Sequence, residues 1–391
     1  MNIDLEKVRA ETPGLQNGIH LMACGSSLMP KPVIDAVINY TLLEGEVGGY
    51  EAEAIKQEEL DSVYDTVAQS IGAQRHEIAI LENATVAWMN AFYALPIKPG
   101  SRILTSEAEY AANYVAFMAR AKKDALTIVI VPSNAAGALD LEQLEHQIDD
   151  RVGLIAITWI PTNGGLVNPA EGVGKIAKKY KIPFLLDGCQ AVGQMVVDVK
   201  KIGCDFFSAT GRKFLRGPRG TGYLYISESW LELMHPVMID HFGAPWITRE
   251  KYLLREDARR FETWENSYAL RVGLNCAINY ASEIGIEAIQ ERTWSLAKYC
   301  RNLLGEVKGV HLTDLGDQKC GIVSFYIEGC DSVELVSKLA NRSIIIGTSS
   351  PPSTLIDSEI RQLPVLLRAS PHYYNTRHEI ESLVSGIKSI L

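Results

Sequence analysis

Apolar positions along this chain follow two alternating patterns. Ile55, Leu60, Val63, Tyr64, Val67 and Ile71 recur at helical spacing and predict a helix over residues 52–72. Between helical stretches lie short runs that are apolar throughout: Ile78–Leu81, Ile103–Leu104, Thr127–Val131, Leu154–Thr158, Phe184–Leu186, Phe206–Ser208 and Tyr223–Ile226. Strands rich in Val and Ile with no polar face suit a sheet covered on both sides. Their alternation with helices predicts α/β layers around a mainly parallel sheet. After about residue 265 the pattern changes. Residues 269–306 read as predominantly helical, then Gly321–Ile327, Ser343–Gly347 and Val365–Ala369 read as strands, and a last helix runs from Arg377 to Leu391. The expected organisation is a large domain over 21–264 and a smaller C-terminal α/β domain over 265–391. Residues 1–20 are expected to be an N-terminal segment that packs with the smaller domain.

Composition narrows the function classes. The chain has 391 residues, 47% apolar and 22% charged, enough to bury a core without disulfide or metal staples. A formal net charge of −9 argues against nucleic acid or an anionic membrane as partner. No apolar run approaches the roughly 18 residues that span a bilayer. The start, Met1 to Glu6, lacks a basic segment followed by an apolar one, so no signal peptide is expected. Seven cysteines, at 24, 189, 204, 276, 300, 320 and 330, form no CxxC pair, and the eight histidines show no HExxH spacing. These features predict a cytoplasmic protein with neither a disulfide framework nor a metal site.

The candidate chemistry centres on two residues at strand ends. Asp187 closes the apolar run Phe184–Leu186. Lys213 follows the strand Asp205–Ala209 and precedes the glycine-rich turn Gly217–Gly222. A strand-end lysine can form an imine with an aldehyde, and a strand-end carboxylate can pair with a pyridinium nitrogen. Pyridoxal 5′-phosphate (PLP) requires this combination. Ligands of such sheets bind outside the carboxyl ends of the strands. Two other glycine motifs fail. Gly217–Gly222 has the order GxxGxG rather than the dinucleotide GxGxxG, and Gly172-Val-Gly174-Lys175-Ile176 lacks the remaining residues of a phosphate-binding P-loop.

Several further motifs occur in one order from about Ile19 to the last helix, and together they resemble fold-type I PLP enzymes of the class V aminotransferase group. That group includes cysteine desulfurases, selenocysteine lyases, C–S lyases and isopenicillin N epimerase. The resemblance implies the following roles. Ala84 and Thr85, opening a helix over Val86–Leu95, would bind the cofactor phosphate, although the same residues also read as an ordinary helix start. Glu109-Tyr110-Ala-Ala-Asn113 matches Glu-His-x-x-Asn, with Tyr110 replacing the histidine that stacks on the pyridine ring. Thr162 or Asn163 would lie near the phenolic oxygen. Asp187 and Gln190 match Asp-x-x-Gln, the first for the ring nitrogen and the second for the phenolic oxygen. Thr210 and Arg212 would hold phosphate, and Lys213 would carry the cofactor and move the substrate proton. Arg368 would clamp the substrate carboxylate. Trp264 and Glu265 stand where the group has Gly-Thr, which puts a contact to a neighbouring subunit's phosphate in doubt.

The resemblance also implies an amino-acid substrate and a homodimer. Persulfide-forming desulfurases carry a mobile cysteine shortly before the substrate arginine, and residues 340–369 contain none. The expectation is therefore β-elimination from a cysteine derivative or conjugate (a C–S lyase), with the persulfide-forming desulfurase disfavoured. An epimerase and an aminotransferase are the alternatives, and a non-catalytic PLP-binding relative is the alternative of a different class. Cys24 and Cys189 remain as thiol candidates. The unusual segment Gly45–Glu51, with Tyr50 and Glu51, is expected to line the substrate entrance.

Overall fold

The computed structural model describes residues 3–391, so residues 1 and 2 of the N-terminal segment lie outside the described residues. Seven strands form the central sheet: β1 (Ile78–Leu81), β2 (Arg102–Ser106), β3 (Thr127–Val131), β4 (Val152–Thr158), β5 (Phe184–Asp187), β6 (Phe206–Thr210) and β7 (Gly222–Ile226). Their order is β1-β7-β6-β5-β4-β2-β3. The run from β6 through β5, β4 and β2 to β3 is parallel. Strand β7 lies antiparallel between β6 and β1. The fold is α/β with a mainly parallel sheet.

Alternate residues of each strand enter different cores, which is why the runs are apolar throughout. Leu154 and Ala156 face one cluster with Trp88, Phe92 and Phe117, while Ile155 and Ile157 face another with Val173, Ala177 and Leu186. Each fully buried side chain of this size contributes about 1.5–3 kcal/mol from area alone. The first cluster is closed by helices α3 (Ala84–Ala94) and α4 (Ala111–Asp124), and the second by α5 (Ala170–Tyr180); these take the labels that follow α1 (Lys31–Val47) and α2 (Gly49–Ile71).

The helix expected over 52–72 is α2, which buries Leu60, Val63, Tyr64, Val67 and Ile71. Ile55, counted in the same stripe, is exposed, while Ala52 three residues earlier is the buried position of that turn. Helix α1 gave no clear period, since only Val33 and Tyr40 are fully buried on it. Gly48 joins the two helices, and Tyr50 in the first turn of α2 is 73% exposed.

The C-terminal part begins with α6 (Tyr268–Ile284), which packs on α1 and α2 through Ala269 and Val272 and on the large core through Leu274 and Ile278. A second, four-stranded antiparallel sheet follows: β8 (Val310–Leu312), β9 (Val323–Ile327), β10 (Gly347–Ser349) and β11 (Leu366–Ala369), in the order β8-β9-β11-β10. Helices α7 (Ile286–Gly305) and α8 (Arg377–Lys388) cover it. The single strand read over 343–347 is two pieces: Gly347 begins β10, while Ile344–Ile345 pairs in parallel with Ile19–His20. Thus the N-terminal segment is stitched to the C-terminal part through a separate two-stranded sheet, and Cys24 N–H also donates to Ser370 Oγ.

Candidate active site

Three parallel strands set the floor of the site. Asp187 at the end of β5 lies level with Thr158 of β4 on one side and Ser208 of β6 on the other. The chain after β6 turns back into β7, with Thr210 opposite Gly222. A Cβ at Gly222 would lie 2.6 Å from the Asn83 carbonyl carbon and 2.8 Å from Ala84 N, so only glycine lets β7 begin against the start of α3. Lys213 sits in this connection. Its carbonyl accepts from the N–H of Arg216, a residue in the left-handed region with φ of 62°. The fully buried Arg216 guanidinium holds Leu28 O, Tyr373 Oη and Thr12 Oγ1 and so anchors the turn.

Around Lys213 lies a cleft of about 320 Å³, within the usual size of small-molecule sites. Its walls include Ala84, Thr85, Tyr110, Thr162, Asp187, Gln190, Thr210 and Arg212. The Lys213 amine has no hydrogen-bond or ion-pair partner among the described residues. Asn83 Oδ1 caps α3 by accepting from Val86 N–H, and the N–H groups of Ala84 and Thr85 precede the helix's own hydrogen-bond ladder. Arg212 donates to Gly25 O. Burial and the neighbouring Arg219 both disfavour its charge, the kind of positive excess that an anion relieves.

Asp187 accepts from Cys189 N–H on Oδ1 at 2.9 Å and from Asn113 Nδ2 on Oδ2 at 3.0 Å. The Cys189 thiol also lines the cleft, and burial, then Asp187, push it well above the usual thiol range. Gln190 donates through Nε2 to Cys24 O, which leaves its buried Oε1 without a partner. Of the two alternatives after β4, Thr162 lines the cleft. Asn163 is corrected: its Nδ2 donates to Asp357 Oδ2 at 2.7 Å, because the peptide turn carries the two side chains to opposite sides. Arg368 on β11 joins the cleft through Thr162, donating to Thr162 O and Oγ1 and to Thr348 O.

Other residues singled out in the sequence lie outside this cleft. Trp264 N–H donates to Asp240 Oδ2 and its ring packs near His241, on a partly exposed loop. Neither Trp264, Glu265, Tyr50 nor Glu51 lines this cleft. Sequence reasoning missed Arg219, which lines it, and Arg216, which anchors it. A second and third arginine so close to Lys213 in a glycine-rich turn were the available signal.

The donor set fits PLP. A helix start with Arg212 and Arg219 suits a phosphate, the Asp187 carboxylate suits a protonated ring nitrogen, and the Lys213 amine suits an aldehyde. Among the described residues, no cluster of three or more His, Cys, Asp or Glu side chains could hold a metal ion, and no helix is long and apolar enough to cross a membrane.

Known proteins agree on the fold. A cysteine desulfurase of Yersinia pestis is 30% identical over 406 aligned positions, covering 100% of this chain and 99% of its own. The apo structure of a cysteine desulfurase from Thermococcus onnurineus superposes with a TM-score of 0.92 at 27% identity, covering 100% of this chain and 98% of that one. A third structure, a C-DES mutant with glycine covalently linked to its PLP cofactor, shares the fold with a TM-score of 0.87 at 21% identity, covering 96% and 98%. These relatives overturn the expectation of a lyase for cysteine conjugates in which the persulfide-forming desulfurase was disfavoured. That expectation weighed one cysteine missing from one segment above a likeness that runs the length of the chain. The protein is a fold-type I, PLP-dependent enzyme. Residues 19–383 match the class-V aminotransferase family, and the chain belongs to it.

Proposed function

We propose that this enzyme removes sulfur from L-cysteine, leaving alanine. In the balanced reaction the Cβ–S bond breaks, a proton takes sulfur's place on carbon, and the sulfur passes to an acceptor thiol as a persulfide. The observation that carries the reading is whole-length likeness to cysteine desulfurases together with a cleft that unites Lys213, Asp187 and the Arg368–Thr162 pair. When bound, PLP supplies an electron sink for the substrate α-carbon.

The chain's own residues divide the remaining work. Arg368 and Thr162 orient the substrate carboxylate. Lys213, with no internal partner, is free to carry a proton to and from the substrate. Tyr110 and Cys189 bound the cleft. With PLP in place, Asp187 would pair with its ring nitrogen, Ala84, Thr85, Thr210, Arg212 and Arg219 would hold its phosphate, and Gln190 would serve its phenolic oxygen.

We also propose a cytoplasmic homodimer. The exposed apolar side chains Trp246, Ile247, Leu253 and Trp264 support a subunit contact, and seven unpaired cysteines support a reducing compartment.

The test is product analysis with L-cysteine. Alanine forming in step with transferred sulfur, and lost in Lys213→Ala, is expected. The mass of each tryptic cysteine peptide after turnover identifies where sulfur is carried. Pyruvate and ammonia in place of alanine would overturn the proposal.

A further inference from the structure

Glu109 lies behind the cleft, and its surroundings are unusual for a carboxylate. It is 3% exposed and accepts five hydrogen bonds from four residues on three elements and the loop before α4. Thr105 Oγ1 of β2 and Thr158 N–H of β4 donate to Oε2, at 3.0 and 2.9 Å. Tyr110 N–H, Asn113 Nδ2 of α4 and Thr158 Oγ1 donate to Oε1, at 3.0, 2.8 and 2.5 Å. Both oxygens therefore face backbone N–H groups that cannot turn away. An amide in place of the carboxylate would set one donor against another on whichever side its NH2 lay.

The Asn113 side chain is the link outward. Its Nδ2 donates to Glu109 Oε1 at 2.8 Å and to Asp187 Oδ2 at 3.0 Å, which uses both of its N–H groups. Asn113 is 2% exposed and Asp187 5%, so both bonds lie in a dry interior. Asp187 is the charged group facing Glu109 from the neighbouring strand, and burial with that charge raises the Glu109 carboxyl to about 7.

We propose that Glu109 and Asn113 are positioning residues for the cofactor: Glu109 locks the Asn113 amide, and the locked amide holds the Asp187 carboxylate where it meets the PLP ring nitrogen. Neither residue reaches the cleft lining; Asn113 acts through Asp187, and Glu109 acts through Asn113 while also holding the cleft residues Tyr110 and Thr158. The inference rests on Asp187 pairing with PLP and is independent of which amino-acid reaction follows.

The experiment is a double-mutant cycle read by PLP affinity of the apo-protein rather than by turnover. Asn113→Leu removes the amide at similar volume. It should weaken PLP binding about tenfold, the lower range for losing a hydrogen bond to a charged group. In the Asp187→Ala background the same change should alter affinity less than about twofold. Glu109→Gln, taken through the same cycle, should show a smaller effect in the Asp187→Ala background than in the otherwise wild-type chain, where it should also move the absorbance spectrum of bound PLP. Melting temperatures of the apo-proteins separate misfolding from misplacement. If one variant does not fold, the other decides. Equal effects in both backgrounds would overturn the proposal. Wild-type PLP binding that is unmoved by Asp187→Ala alone would instead refute the Asp187 assignment beneath it.

Discussion

Replacing Arg368 by methionine separates substrate binding from folding. The guanidinium has five N–H groups, and four contacts are made, all to neutral oxygens of Thr162 and Thr348. No carboxylate pairs with it among the described residues, although it is only 9% exposed. To grip a substrate carboxylate with two bonds, Arg368 offers its unused N–H and gives up the 3.0 Å bond to Thr162 Oγ1. Two charge-assisted bonds contribute about 1.5–3 kcal/mol each, and the one surrendered, also donated by the cation, is worth about as much as one of them, leaving about 2 kcal/mol. In kcat/KM for L-cysteine that is about thirtyfold. The free enzyme should lose little, because removing a buried charge that lacks a counter-ion relieves a desolvation cost. The assay pairs steady-state kinetics with thermal melts of Arg368→Met and Arg368→Lys. A melting temperature that collapses while kcat/KM per folded molecule stays within about threefold would refute the reasoning, since Arg368 would then be structural.

Other outcomes follow from the same contacts. The Glu109 carboxyl is raised to about 7 by burial. A carboxyl raised on folding lends stability that is complete below pH 4.5 and is lost as pH rises through 7, so the stability difference between wild type and Glu109→Gln should change by about 3 kcal/mol across that window. Denaturant titrations showing a pH-independent difference would contradict it. A Cβ at Gly174 would lie 1.8 Å from the Ile202 carbonyl, so Gly174→Ala should cost about 1–3 kcal/mol, with a lower melting temperature that leaves bound-PLP absorbance intact. Burial and Asp187 keep the Cys189 thiol protonated, so iodoacetamide at pH 8 should label Cys330 well before Cys189; peptide mass spectrometry finding Cys189 first would contradict this.

The central sheet was legible because two-sided burial writes itself as unbroken apolar runs. Ile78–Leu81 is one such run, buried at every position, and β1 has the same bounds. Asp187 was legible for a related reason: a charged residue directly after such a run has little structural purpose, and Lys213, in the turn after the next strand, supplied its partner. Helix α1 was not legible, since a helix that leaves Ile38 and Leu42 in solvent shows no consistent apolar face in a single chain. Thr162 and Asn163 could not be separated, because adjacent turn residues differ in direction rather than in composition. Arg216 escaped notice because nothing local distinguishes an arginine buried against Tyr373, which is 157 positions away, from one in solvent.

The pairing of Ile19–His20 with Ile344–Ile345 bears on the order in which this chain folds. During synthesis the central sheet can close while residues 19–24 still wait for partners more than 300 positions downstream. Cys24 is one of those waiting residues. Its carbonyl steadies Gln190, and its own N–H is held by Ser370. One wall of the cofactor cleft is thus secured only after the C-terminal sheet is complete, so the binding site matures among the last contacts of folding and a nascent, half-made chain presents no finished pocket.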